Sequence, residues 1–389
     1  MRFAPLLFLD APPGEPLPRE TASELRAALR HTARHEDARL NVAATLDFLE
    51  AADRGAYREP IAELRELAAA KRVEFAATAA RRECLPLLPP AERRRLVERG
   101  IAGCAAVFGA DFAPSVLVPP DLAYDRFVAR LARDLGLSAV VVDASSYVGG
   151  SSPGTNAFVV DGLGVRALFA HRALDDAVHS GVAPTLQVVL AFHRGATPIL
   201  LLFEPGEPPS GEKGPAEFLD RALGSGQVET VRLTSLLAST TTPASIDPIP
   251  SSRRTGRIDL ATGAPFARWS APRHPIHADL QALRERMFEA ARSANGAARA
   301  AVDEAIGSAP LAAISCRPDF EPERALAGVA RIERALAACG ALDESAAARV
   351  AGVRSRIERW TAGGTAADLA RRFREAGEDG NPIPETGVA

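Results

Sequence analysis

At 389 residues the chain is long for one simple domain, and its 24 % charged residues and formal net charge of −3 exclude a surface built for nucleic acid. Its hydrophobic content of 47 %, inflated by alanine, is enough for a large core. No apolar run reaches the roughly 20 residues that a membrane span requires.

The first strand is expected at Arg2-Phe3-Ala4-Pro5-Leu6-Leu7-Phe8-Leu9, which is too short for a signal-peptide core and runs straight into Asp10. A Pro/Gly-rich loop follows, and Thr21-Ala22-Ser23-Glu24 resembles a capping box that opens a helix to about His35. Arg39 to Val42 reads as a short strand, the spacing of Leu46, Leu49 and Ala52 as a helix, and Ile61 to Ala70 as another. Val73 to Thr78 returns to strand, and Pro89-Pro90 opens a long helix to Phe108.

Ser115-Val116-Leu117-Val118 then runs into Pro119-Pro120-Asp121. Prolines cannot donate to a sheet ladder, so the strand ends there and Asp121 stands at its carboxyl end, where α/β proteins build their sites. A helix from Tyr124 to Leu135 and the strand Ala139 to Asp143 complete a strand–helix alternation that predicts a parallel sheet with crossover helices. Tyr147 to Thr155 reads as a turn before a hairpin, Ala157–Val160 with Val165–Phe169. The strand Pro198 to Phe203, the helix Pro215 to Leu223 and the strand Val228 to Val231 follow. The expected organisation is a barrel over 1–240, a linker or wrapping loop over 241–275, a helical domain over 276–376 and a disordered tail over 377–389.

The four cysteines, Cys84, Cys104, Cys316 and Cys339, are far apart and form no CxxC, so they read as reduced thiols of a cytoplasmic protein. His31 and His35 stand at metal-compatible i, i+4 spacing, but no third ligand follows and a solvated helix end is the simpler reading. No GxSxG, P-loop or catalytic-cysteine signature is present, and neither a metal nor a cofactor is expected. Carboxylates at strand ends remain: Asp10, Glu74, Asp121, Asp143, Glu204 and Glu207. Paired carboxylates are what glycoside chemistry uses, one as nucleophile and one as acid/base. Only 2 tryptophans and 3 tyrosines are available to stack on sugar rings.

Several stretches, in order, resemble glycoside hydrolase family 57. Leu7-Phe8-Leu9-Asp10-Ala11-Pro12 is similar to a first motif with His-Gln-Pro, Asp10 replacing the histidine. Lys71-Arg72-Val73-Glu74-Phe75 is similar to a second and keeps its glutamate as Glu74, and Arg82-Glu83-Cys84-Leu85-Pro86-Leu87-Leu88 resembles a His-x-x-x-Pro-Leu-Leu stretch with Arg82 at the histidine. Val118-Pro119-Pro120-Asp121-Leu122-Ala123-Tyr124 resembles Trp-Leu-Pro-Glu-x-Ala-Tyr, with Asp121 on the nucleophilic glutamate. Phe203-Glu204-Pro205-Gly206-Glu207-Pro208 resembles Asp-Gly-Glu-x-Phe-Gly, with Pro205 on the acid/base aspartate, and Ala313-Ile314-Ser315-Cys316 resembles the start of a fifth motif.

The resemblance implies an incomplete (β/α)7 TIM-like barrel with a helical C-terminal region, acting on or binding α-glucans or oligosaccharides. Asp10, Glu74 and Arg82 are the substrate-binding residues it suggests, and Trp269 is a candidate for reaching back to the mouth, with core packing as its simpler role. The departures imply that hydrolysis is lost or strongly weakened. Asp for Glu shortens the arm by roughly 1.5 Å, against a carboxyl separation of about 5–5.5 Å in retaining enzymes. Proline removes the proton donor. The alternative is an active retaining hydrolase or transglycosylase, with Asp121 as nucleophile and Glu204 or Glu207 as acid. A further alternative is a metal-dependent polysaccharide deacetylase, suggested by Pro-Pro-Asp before a helix but lacking the Thr-Phe-Asp-Asp-Gly entry motif.

Overall fold

The computed structural model describes residues 2–11, 17, 19–53, 58–147, 157–171, 199–204, 228–239, 243–272, 274–316, 320–364 and 368. It divides into two compact units, Met1–Arg81 with Arg93–Arg253, and Arg82–Glu92 with Arg254–Ala389.

In the first unit, near-continuous apolar runs form strands buried on both faces, as parallel sheets require. The strands of this unit are β1 (Arg2–Leu9), β2 (Leu40–Ala44), β3 (Val73–Phe75), β4 (Val116–Leu117), β5 (Ala139–Asp143), β6 (Phe158–Val160), β7 (Arg166–Ala170), β8 (Ile199–Phe203) and the short, partly exposed β9 (Glu229–Thr230) and β10 (Ser245–Ile246). Parallel pairing runs β8–β1–β2–β3 and β4–β5–β7. Two narrow seams join these runs. Ala77 bridges Leu117 beyond the end of β3, and Ala170 of β7 pairs with Leu200 of β8. Among the described residues, seven parallel strands thus close into a ring, the incomplete (β/α)7 barrel.

The hairpin expected at 157–169 is present, with β6 antiparallel to β7. The helix Pro215–Leu223 lies outside the described residues. The stretch 241–275 is divided between the units at Arg253, and its β10 adds a parallel strand to β6.

Around the ring lie α1 (Arg19–Arg34), α2 (Leu46–Asp53), α3 (Arg58–Ala69), α4 (Pro90–Phe108) and α5 (Arg126–Asp134). Period-2 alternation sorts the strand residues. Phe3, Leu7 and Leu9 of β1 join Leu25, Phe48 and Leu64 in an outer core under these helices. Ala4, Leu6 and Phe8 join Val141, Leu200 and Leu202 in an inner core. α6 (Leu233–Ser239) contributes Leu233 and Leu236 to the inner core. Gly100 lets α4 lie against the segment after β3, since a Cβ there would sit 2.2 Å from the Thr78 carbonyl oxygen.

The second unit is helical: α7 (Arg257–Ala261), α8 (Ala267–Ser270), α9 (Pro275–Ala291), α10 (Gly296–Ala305), α11 (Ala309–Ala313), α12 (Pro322–Ala338) and α13 (Glu344–Ala362). α12 packs against α9, α10, α11 and α13. Its Gly328 admits Pro310 of α11 at a distance where a Cβ would be only 2.2 Å from the proline ring. The segment Arg82–Glu92 is fastened into this unit by Glu83, which accepts from Arg284 Nη2 at 2.7 Å and from the amides of Cys84 and Gly307. Of the expected helix Ala366–Ala376, only Asp368 is described. None of the four cysteines forms a disulfide.

Candidate active site at the carboxyl ends of the strands

Carried past the strand ends, the inner-face alternation predicts which polar side chains enter the barrel mouth. On β1 it passes from Phe8 to Asp10, on β2 from Ala43 to Thr45, on β5 from Val141 to Asp143, and on β8 from Leu202 to Glu204. Glu204 therefore reaches the interior side without a register shift. Pro205 and Glu207 lie outside the described residues.

Asp121 arrives differently. After β4 the prolines stop the ladder, and Pro120–Leu122 form a single turn in which Asp121 has φ 53° and ψ 18° and Leu122 has φ 49°. Aspartate tolerates the left-handed region, but for leucine that conformation is strained, and such strain persists where the surroundings impose it. The surroundings here are the stretch 249–253. The Ile249 amide donates to the Ser146 carbonyl, Ser251 and Tyr124 exchange backbone hydrogen bonds, and the Arg253 amide donates to the Asp121 carbonyl at 2.8 Å. The Ser251 hydroxyl bonds those of Ser145 and Ser146. This strap crosses the ends of β4 and β5 and delivers Arg253 to Glu204, Nη1 to Oε2 at 3.7 Å. Asp121, Glu204 and Arg253 are 4 %, 3 % and 5 % exposed.

At the β1–β2 side of the mouth, Thr45 Oγ1 donates to Asp10 Oδ1 at 2.9 Å. Asp47, in the first turn of α2, pairs with Arg81 at 3.1 Å. Burial, reinforced by the Asp10 and Glu50 charges, raises the Asp47 carboxyl to about 7 against the pull of Arg81. Tyr124 is fully buried just past the Asp121 turn, and burial pushes its phenol up.

Of the other proposed site residues, Glu74 stands below the mouth. Glu74 points to the interior side, but it is paired in register with Asn41 and through it with Leu6, four residues below Asp10. At about 3.3 Å per residue that is roughly 13 Å from the mouth level. Its carboxylate accepts from the Thr234 amide and hydroxyl at the start of α6, and burial raises it. Arg82 and Trp269 belong to the second unit. The Arg82 carbonyl accepts from the Ser308 amide, and Trp269 on α8 is 2 % exposed. His31 is buried rather than solvated, its ring 4.7 Å from that of His35. Among the described residues no three His, Cys, Asp or Glu side chains form a metal-sized group.

The residues missed in sequence are Arg253, Asp47 and Arg81. Asp47 stands two residues after Thr45, just past a strand end, a signal that was available. Arg253 sits in a stretch without periodicity, which carries no signal of a site.

The model of glycosyl hydrolase family 57 matches residues 19–179. That stretch is similar to family 57 sequences. No curated protein matches the chain significantly. Among solved structures, it is similar to a family 57 branching enzyme from Thermococcus kodakaraensis, at 12 % identity over 87 % of this chain and 89 % of that one, TM-score 0.65. It is similar to a 4-alpha-glucanotransferase from Thermococcus litoralis at 13 % identity over 86 % of this chain, TM-score 0.63, and spans 58 % of that enzyme's length. The alpha-amylase AmyC from Thermotoga maritima gives 11 % identity over 91 % of this chain and 97 % of its own, TM-score 0.59. At these identities the structural likeness establishes the family 57 fold, a parallel-stranded barrel with a helical C-terminal part.

Proposed function

We propose that this family 57 barrel binds α-glucans or oligosaccharides at its mouth, with retaining hydrolysis lost or strongly weakened. The observation that carries the reading is the arginine beside the candidate acid. Glu204, the described carboxylate nearest the acid/base position, faces the interior but stands beside Arg253. A neighbouring cation favours the charged form of a carboxylate and burial opposes it, whereas the first step of glycoside cleavage needs a protonated one; on this reading the arginine prevails at Glu204. The candidate nucleophile, Asp121, is one methylene shorter than glutamate, and a misplacement of about 1 Å can cost on the order of a hundredfold in rate. Binding is supported by Asp10 and Thr45, polar groups suited to sugar hydroxyls, and by the α-glucan activities named for the structural neighbours.

The inward placement of Glu204 also favours a second reading, a working retaining hydrolase or transglycosylase using Asp121 and Glu204. One experiment separates the two. Purified protein is incubated with starch, glycogen and maltooligosaccharides, and maltoheptaose binding is measured by calorimetry. The expected result is binding that Asp10→Ala weakens, without turnover. Turnover abolished by Asp121→Ala would replace the first reading with the second.

A further inference from the structure

The strap 249–253 looks in sequence like connecting chain, yet it is hydrogen-bonded at Ser146, Tyr124 and Asp121 and ends in a buried guanidinium. A buried charge is costly without a partner, and this one is placed by the Asp121 carbonyl and directed at Glu204.

We infer that Arg253 is a positioning residue of the mouth: it claims the Glu204 carboxylate as an ion-pair acceptor and so withholds a proton donor from a bound glucan. The inference rests on the glucan-site reading and names what controls that site. In a retaining cleavage an Asp121 oxygen would bond to the anomeric carbon as the C1–O bond breaks, and the departing oxygen would take a proton from an acid. Water would then displace Asp121 and return a proton to the same carboxylate. Glu204 cannot supply the first proton while it is the anionic half of the pair.

The test compares wild type, Arg253→Met, Arg253→Lys, Glu204→Gln and the double variant Arg253→Met/Glu204→Gln. Infrared difference spectra of wild type against Glu204→Gln at neutral pH are expected to show an ionised carboxylate for Glu204. Spectra of Arg253→Met against the double variant are expected to show a protonated carboxyl band, and Arg253→Lys to restore the wild-type spectrum. General acid catalysis is worth about 10²–10⁴-fold, so Arg253→Met is expected to raise maltotetraose cleavage at least about tenfold, with a pH profile that the double variant loses.

A protonated Glu204 band in wild type overturns the inference. So does a folded Arg253→Met that keeps the ionised band, or a rate gain that survives Glu204→Gln. The wild-type comparison does not depend on whether Arg253→Met folds. Because the infrared arm contains no glucan, its failure refutes the Arg253 assignment alone. Absence of maltoheptaose binding alongside the expected spectra refutes the glucan reading alone.

Discussion

Two buried carboxylate–arginine pairs, one in each unit, are built to different standards. Glu83 meets Arg284 at 2.7 Å and also accepts from two backbone amides, at 2.9 Å from Cys84 and 3.1 Å from Gly307. Burial raises its carboxyl even though these contacts pull the other way. Glu204 meets Arg253 at 3.7 Å. The first pair is a fastening, with a guanidinium and two amides converging on one carboxylate. The second is a looser contact at a barrel mouth, where its arginine is placed by a backbone bond to a neighbouring strand end. The first geometry suits a pair that holds a fold together, and the second is the pair on which the proposed control of the mouth rests.

The comparison can be broken most severely at the fastening. Removing one partner of a buried pair strands the other, so Glu83→Ala is expected to destabilise the protein by about 3–5 kcal/mol in urea unfolding. A loss below that of the mouth variant would erase the distinction. Glu204→Gln keeps the shape and one polar contact, and a loss on the order of 1–3 kcal/mol is expected.

A third expectation concerns Asp47, whose carboxyl burial raises from its ordinary value to about 7. Between about pH 4 and pH 7 the folded protein binds more protons at this site than the unfolded chain, so Asp47 stabilises fully below that window and its contribution is lost as pH rises through it. The slope is at most about 1.4 kcal/mol per pH unit. Melting temperatures recorded against pH should lose this component in Asp47→Asn; an unchanged slope would refute it. The smallest effect belongs to the exposed helical pair Arg94–Glu98 at 2.8 Å, where Arg94→Gln should cost no more than about 0.5 kcal/mol. A loss comparable to that of Glu204→Gln would mean that burial does not rank these pairs.

Much of the fold could be read before any coordinates. Apolar runs alternating with helical periodicity announced the parallel barrel, and the double proline located the end of β4 and with it Asp121. Short-range patterning succeeds because buried strands and amphipathic helices write their period into the chain. The site was legible only in part. Glu74 looked like a mouth residue because it sits in a motif, but a strand of three residues has two ends within one side chain of each other, and only the register with Asn41 shows its level. Glu204 looked displaced by one residue, and the alternation along β8 puts it inward. Arg253 was invisible because its role comes from tertiary hydrogen bonds to residues distant in sequence, in a stretch with no periodicity.

The two narrow seams of the ring have a mechanical consequence. They separate one jaw, β8–β1–β2–β3, carrying Glu204 and Asp10, from another, β4–β5–β7, carrying Asp121 and Asp143. The gap between the candidate carboxylates is therefore set between jaws, through the Ala77–Val118 and His171–Leu200 hydrogen bonds, as well as by side-chain rotamers. Arg253, with its amide on the Asp121 jaw and its guanidinium toward the Glu204 jaw, is a clasp across that gap, and amide exchange at Val118 and His171 would report how tightly it is drawn.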